Sequence, residues 1–240
     1  MQIVYEDNHI VIVNKRSGEI VQGDKTGDVP LSEMVKQYLK EKYHKPGEVF
    51  LGVVHRLDRP VSGLVIFAKT SKALARLNKM FANGEVHKTY WAIVETRNNQ
   101  LEISNENEKC ETPPADSSFV LLTHWLTRNE QQNKSYAHND EVPHSKQAVL
   151  RYRLIGKGDR YALVEVRLLT GRHHQIRCQL AAIGCPIKGD LKYGARRSNS
   201  DGSISLLSRH VEFVHPVSKE NISVEAPLPE DPIWRKILGC

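Results

Sequence analysis

Leu64-Val65-Ile66-Phe67-Ala68-Lys69-Thr70-Ser71-Lys72-Ala73-Leu74-Ala75-Arg76-Leu77-Asn78-Lys79-Met80-Phe81-Ala82-Asn83-Gly84 is the stretch from which the fold is read. Its unbroken apolar start has the length of a buried strand. Thr70 and Ser71 are candidate N-caps, because a side-chain oxygen there satisfies an open N–H of the first turn. Leu74, Leu77 and Phe81 then form one helix face, and Gly84 is placed to end the helix. Val86 to Val94 returns as a strand. The unit reads strand–helix–strand, a candidate crossover.

Upstream, Ile3 to Tyr5 and Ile10 to Val13 read as strands flanking the turn pair Asp7-Asn8. Leu31, Val35, Tyr38 and Leu39 recur at helical spacing, with Ser32 as a candidate cap and Pro46-Gly47 as a break. Downstream, Ala148 to Leu154 reads as a strand, and Tyr161 to Leu169 alternates with Ala162, Val164, Val166 and Leu168 on one face. A helix over 172–183 follows, with Ile176, Leu180 and Ile183 on its buried stripe and Gly184 past its end. The polar stretches 97–118 and 128–146 offer no core face and are expected to be loops. The expected product is a single α+β domain over residues 1–240, with a mixed, largely antiparallel sheet flanked by helices and loops.

The chain has 240 residues, is 40% hydrophobic and carries a net charge of +6. That surplus favours a polyanionic partner without requiring one. No apolar run is long enough to span a bilayer, and no signal-peptide pattern leads the sequence, so a cytoplasmic protein without membrane contact is expected. Cys110, Cys178, Cys185 and Cys240 contain no C-x-x-C pair, which argues against a disulfide framework or structural zinc.

Three segments can carry chemistry. His55-Arg56-Leu57-Asp58-Arg59-Pro60-Val61-Ser62-Gly63 sits just ahead of the apolar strand, so Asp58 is expected on a turn held by the sheet. Residue chemistry alone favours a solvated turn there, with Asp58 paired to Arg56 or Arg59. Thr170-Gly171-Arg172-His173-His174-Gln175-Ile176-Arg177 opens the later helix, where free N–H groups and basic side chains can receive an anion. His173 and Arg177 are spaced to share a face, and a basic, solvent-facing first turn is the plainer account. The two histidines lack H-E-x-x-H or cysteine company, so no metal site is expected. Lys88-Thr89-Tyr90-Trp91-Ala92 puts Lys88 and Tyr90 on one strand face, suited to stacking a nucleobase beside a phosphate or simply to core packing.

Taken together the segments resemble the RluA-like RNA pseudouridine synthases. The family's H-R-L-D-R-x-x-S-G matches His55 to Gly63, and its K-x-Y matches Lys88 and Tyr90. G-R-x-H-Q-I-R-x-x-L matches Gly171, Arg172, His174, Gln175, Ile176, Arg177 and Leu180. G-x-P-I-x-G-D…Y-G matches Gly184, Pro186, Ile187, Gly189, Asp190, Tyr193 and Gly194, and His210 and His215-Pro216 also look familial. The likeness runs from about Ile3 to Trp234. One departure is Arg16 in Asn14-Lys15-Arg16-Ser17-Gly18, where the family usually has proline. Catalytic-domain sequence begins at once, so no N-terminal S4 domain is expected.

The resemblance implies a cofactor-independent isomerase that acts on uridines of ribosomal or transfer RNA. It implies Asp58 as the catalytic carboxylate, Arg177 as the arginine paired with it, and Tyr90 against the target base. Leu180 would wall the base pocket, unless it is a plain core leucine. Arg56 would fill the place of an extruded nucleotide, and Arg59, Lys69, Lys88 and Arg172 would contact phosphates. A monomer is expected. A hydrolase using Asp58 with His173 or His174 lacks a second carboxylate or nucleophile elbow. A catalytically silent RNA-binding domain is opposed by the presence of Asp58, Tyr90 and Arg177.

Overall fold

The structure, a computed structural model, describes residues 1–24, 26–96 and 119–239. The predicted loop 97–118, with Cys110, and Cys240 lie outside them. The described chain forms two compact units: residues 1–88 with 207–228, and residues 89–206 with 229–240.

The first unit is built on strands β1 (Gln2–Glu6), β2 (Ile10–Lys15), β3 (Gly52–Val53) and β4 (Ser62–Ala68), with β10 (Leu206–Val214) and β11 (Asn221–Glu225). Asp7 sets the β1–β2 turn by accepting the His9 and Ile10 N–H groups. β2 and β4 pair antiparallel, and Ile10 to Val13 and Leu64 to Ala68 are wholly buried, so both faces of these strands are covered. β4 and β10 form the parallel pair of this unit, and β11 returns antiparallel on β10. Gly63, at φ +111°, is required there, because a Cβ would run into the Ser208 backbone.

Two helices belong to this unit, α1 (Leu31–Lys42) and α2 (Ser71–Ala82). Thr70 caps α2 by accepting the Ala73 N–H, and Gly84 lies past its end at φ +73°. The buried stripe of α2 is Ala73, Leu77 and Met80, one position round from the expected Leu74–Phe81 face. Ser32 does not cap α1: Pro30 is the cap residue, and the Ser32 N–H donates to Val21 O instead. α1 is tied to β1 through Glu6, which accepts from Tyr38, Lys42 and Tyr43 and pairs with Lys69.

The second unit contains β5 (His87–Glu95), β6 (Val120–Asn129), β7 (Lys134–His138), β8 (Lys146–Lys157) and β9 (Tyr161–Leu168). Their order is β5–β9–β8–β6–β7, antiparallel throughout. Helices α3 (Gln175–Ala182) and α4 (Ile233–Leu238) and a short 3-10 turn at Leu191–Tyr193 complete it. A cluster of Leu126, Ala148, Cys178 and Tyr193 joins α3 to the sheet. The two units thus bear out a mixed, largely antiparallel α+β fold. Within the first unit β4 pairs with β2, β3 and β10, and within the second β5 pairs with β9.

Two expectations are corrected here. The polar stretch 128–146 is not a plain loop, because it holds β7 and both hairpin connections. The inward residues of β7 are Ser135, which is polar and hydrogen-bonded, and Ala137, which packs against the α3 cluster, so its apolar face is a single small side chain. The later helix begins at Gln175, not 172, after His174 turns left-handed at φ 51°. No helix among the described residues is long and apolar enough to cross a membrane.

Candidate active site

In the first unit, the signature segment leaves β3 and enters β4 through a turn in which the Val61 N–H donates to Asp58 O. The turn is gripped from below by Lys15. That side chain is 1% exposed, and its ammonium donates to Arg16 O at 2.9 Å, Arg59 O at 3.1 Å and Val61 O at 2.6 Å. Carbonyl dipoles on both sides of Pro60 converge on one buried cation, so the backbone beside Asp58 is fixed by charge as well as by sheet pairing. Burial pushes Lys15 down to about 8, against the pull of the Glu19 and Asp58 carboxylates. Gly18 N–H adds a bond to Arg59 O.

His55 anchors the other end. Its Nε2 accepts the Ile66 N–H at 2.9 Å, and its ring stacks on Phe81 with centroids 4.9 Å apart. Burial first, and then the nearby Lys88 charge, push His55 down to about 3. The ring is therefore a neutral acceptor, with the proton on Nδ1. Lys88 itself lies over the Phe81 face at 5.1 Å, and burial lowers its pKa. Arg56 is exposed and Asp58 is partly buried. Arg59 is exposed and ion-pairs with Asp28. Lys69, expected at a phosphate, is instead held inside the unit by Glu6.

In the second unit, Arg177 is 5% exposed and grips Asp190 side-on, Nε to Oδ2 at 2.7 Å and Nη2 to Oδ1 at 2.9 Å. Its Nη1 meets His174 Nε2 at 3.0 Å, and its guanidinium lies 5.1 Å from the Tyr193 ring centroid. His173, expected to share a face with Arg177, instead turns to Ser135 and Asn133. The first turn of α3 is not solvent-facing, since every residue from Gln175 to Leu180 is buried. The open N–H of Arg172 is taken by the Gln175 side chain, and the Arg172 Nε donates to Gln147 O.

Tyr90 lies on β5 opposite Val166 and is 6% exposed. Leu180 is fully buried on α3. The structure thus gathers Arg56, Asp58 and Arg59 on one clamped loop in the first unit, and Arg172, Arg177 and Leu180 around α3 in the second. Sequence reasoning assigned no role to Lys15, Ser135, Asp190 or Tyr193. Asp190 and Tyr193 stand in the trailing motif and Lys15 in Asn14-Lys15-Arg16-Ser17-Gly18, whereas Ser135 stands in no motif.

The fold matches that of known pseudouridine synthases. A solved structure titled Human RNA Pseudouridylate Synthase Domain Containing 4 superposes with a TM-score of 0.74 at 20% identity, covering 99% of this chain and 93% of that one. The sequence goes further, since the RNA pseudouridylate synthase family description matches residues 9–182. The chain is 32% identical over 232 residues to the ribosomal large subunit pseudouridine synthase C of Vibrio cholerae, covering 94% of this chain but 65% of that protein. It is 30% identical over 257 residues to the tRNA pseudouridine synthase C of the same organism, covering 100% of this chain and 95% of that one. The chain belongs to the RluA-like RNA pseudouridine synthase family.

Proposed function

We propose that the chain isomerises specific uridines of ribosomal or transfer RNA to pseudouridine, as a cytoplasmic monomer, with Asp58 as the catalytic carboxylate. The observation that carries this reading is the clamped signature loop. Asp58 sits on backbone held by the Lys15 ammonium and the Val61 N–H, just ahead of the largely buried strand β4. A reacting group placed on a rigid scaffold loses little orientation entropy when substrate arrives.

The reaction breaks the uridine N1–C1′ bond, turns the retained base and joins C5 to C1′. The C5 proton leaves to solvent and N1 ends protonated, so atoms and electrons balance without an oxidant, metal or group donor. One carboxylate suffices, as nucleophile at the sugar or as base there. In this reading Arg177 serves the ionised carboxylate, and Tyr90 stacks on the base or assists removal of the C5 proton. Leu180 lines the base pocket, Arg56 fills the vacated stack, and Arg59, Lys88 and Arg172 contact phosphates. The two Vibrio cholerae relatives are named for ribosomal and transfer RNA, and both substrate classes are carried into this proposal.

The test is tritium release from RNA labelled at uridine C5, isolated from cells lacking the gene. The wild type should release tritium, and Asp58→Asn should bind the same RNA equally well and release none. Comparable release by the two proteins removes Asp58 from the chemistry. Pseudouridine mapping of total RNA with and without the gene then names the position.

A further inference from the structure

Arg177 is held by several partners within its own unit. Asp190 occupies Nε and Nη2, and His174 occupies Nη1, which engages three of the five N–H donors of the guanidinium. Arginine can only donate, so His174 Nε2 is an acceptor and carries no proton. His174 Nδ1 must then hold the proton and donate it to Tyr193 Oη at 3.0 Å. The same Tyr193 Oη accepts the Ser135 N–H at 2.8 Å, which ties it to β7. His174 is 9% exposed, its backbone is left-handed at φ 51°, and His173 stacks on its ring at 3.8 Å. Outside glycine and asparagine such a backbone is uncommon, and it persists where the surroundings hold it. Here it turns the imidazole back over α3 towards Arg177.

We propose that His174 is a positioning residue for the isomerisation: locked as the Nδ1–H tautomer between Tyr193 and Arg177, it fixes the plane of the Arg177 guanidinium. This rests on the assignment of Arg177 to the reaction. Asp190 holds the Nε–Nη2 edge of the guanidinium, and the Tyr193 ring lies beside it. The acceptor on Nη1 adds a bond at a second corner of the guanidinium, so its plane keeps one direction. Protonating His174 would place N–H against N–H, so the lock holds only with a neutral imidazole.

The experiment compares His174→Gln with His174→Met, two side chains of similar length of which only the first can accept from Nη1. Single-turnover rates are read by tritium release on 5-tritiated uridine RNA from cells lacking the gene, and affinity by filter binding of the same RNA. Misplacing a catalytic group by about an ångström costs roughly 100-fold. The methionine variant should therefore slow by about 10- to 100-fold, and the glutamine variant by less than about 5-fold. Affinity should be unchanged in both. Tyr193→Phe removes only the phenolic oxygen behind His174, and should slow the step by about 5- to 10-fold if a His174 variant fails to fold. Equal rates for the glutamine and methionine variants, or a loss of RNA affinity parallel to the rate, overturn the positioning role. Arg177→Lys run alongside separates the two premises: if it too keeps the wild-type rate, the assignment of Arg177 is what fails.

Discussion

Arg177 and Asp190 form a side-on, two-bond ion pair whose side chains are 6% and 1% exposed. Removing two charges from water costs several kcal/mol per ion, and only close geometry with further hydrogen bonds offsets it. The pair meets that condition, since His174 takes a third donor and the Tyr193 ring lies beside the guanidinium. The partners are thirteen positions apart in the chain, so the pair also fastens the loop after α3 to the helix. Removing the carboxylate strands a buried cation. Asp190→Ala should lower stability by about 3–5 kcal/mol, read as a shift of the urea unfolding midpoint. A loss under about 1 kcal/mol would mean that another acceptor takes over the guanidinium, and the account of the pair given above would be wrong.

Lys15 is a second buried cation with a different task, because its partners are three carbonyl oxygens of neighbouring chain segments. Lys15→Met keeps the apolar stem and deletes the donors. Each carbonyl left without a partner costs about 1–3 kcal/mol, so a total loss of roughly 2–5 kcal/mol is expected after partial rehydration. The signature loop should loosen as well, visible as faster amide exchange at Val61, whose N–H closes the turn onto Asp58 O. Unchanged exchange at Val61 together with wild-type stability would show that the clamp is dispensable.

His55 gives the fold an acid-sensitive element. Its folded pKa, pushed down to about 3 from 6.5 by burial and by Lys88, leaves the ring neutral while an unfolded chain takes up a proton. Between those values the unfolded state binds more protons. The contribution is therefore complete above pH 6.5 and is lost as pH falls towards 3. The slope from this group approaches about 1.4 kcal/mol per pH unit below 6.5. Protonation of Nε2 would also end its acceptance of the Ile66 N–H. His55→Gln can keep that bond without titrating, so its stability between pH 4 and 6.5 should fall less steeply than the wild type's. Parallel curves from chemical unfolding would rule His55 out as the sensor.

Much of this was legible in the sequence because it depends on neighbours along the chain. The all-apolar runs Ile10–Val13 and Leu64–Ala68 read as strands from their length, and the Thr70 cap and Gly84 stop bracket α2 as their side chains dictate. What escaped depends on distant partners. β7 is polar because its buried Ser135 finds Tyr193 and His173 to bond to, and nothing nearby in sequence announces them. α3 starts later than the sequence pattern predicts because Gln175, not a serine or aspartate, takes up the open N–H of Arg172, and His174 breaks the helical path. A lysine is read as exposed by default, and only the folding of residues 59–61 over Lys15 makes burial possible. The motif residues are visible in the sequence, whereas the side chains that hold them come together only in three dimensions.

The surplus of 34 lysines and arginines over 28 aspartates and glutamates should appear in the salt dependence of RNA binding. Each phosphate neutralised releases condensed counterions, so log Kd should rise linearly with log salt, at roughly 0.7 per contact on single strands. Binding unaltered between about 50 and 200 mM salt would exclude an electrostatically assisted RNA surface.

Arg56 stands two residues before Asp58, exposed on the same loop, with Lys15 gripping the chain on the far side of Asp58. A reacting uridine must leave its stack, and the guanidinium is planar, permanently charged and able both to stack in the gap and to contact phosphate. If Arg56 does this, its value depends on how much stacking and pairing the RNA must give up. Extruding a paired base costs on the order of a few kcal/mol, and an already unpaired base costs least. Arg56→Ala should therefore lose about 10- to 100-fold in single-turnover rate on a structured stem-loop, since about 1.4 kcal/mol of lost compensation is tenfold. On a version of the same RNA with the target uridine unpaired, the loss should shrink to a few-fold. Exposure of Arg56 makes the substitution mild for folding, so matched melting curves should accompany the comparison. Equal losses on both RNAs would assign Arg56 to a task within the protein, and the opening of the stack would have to come from another side chain.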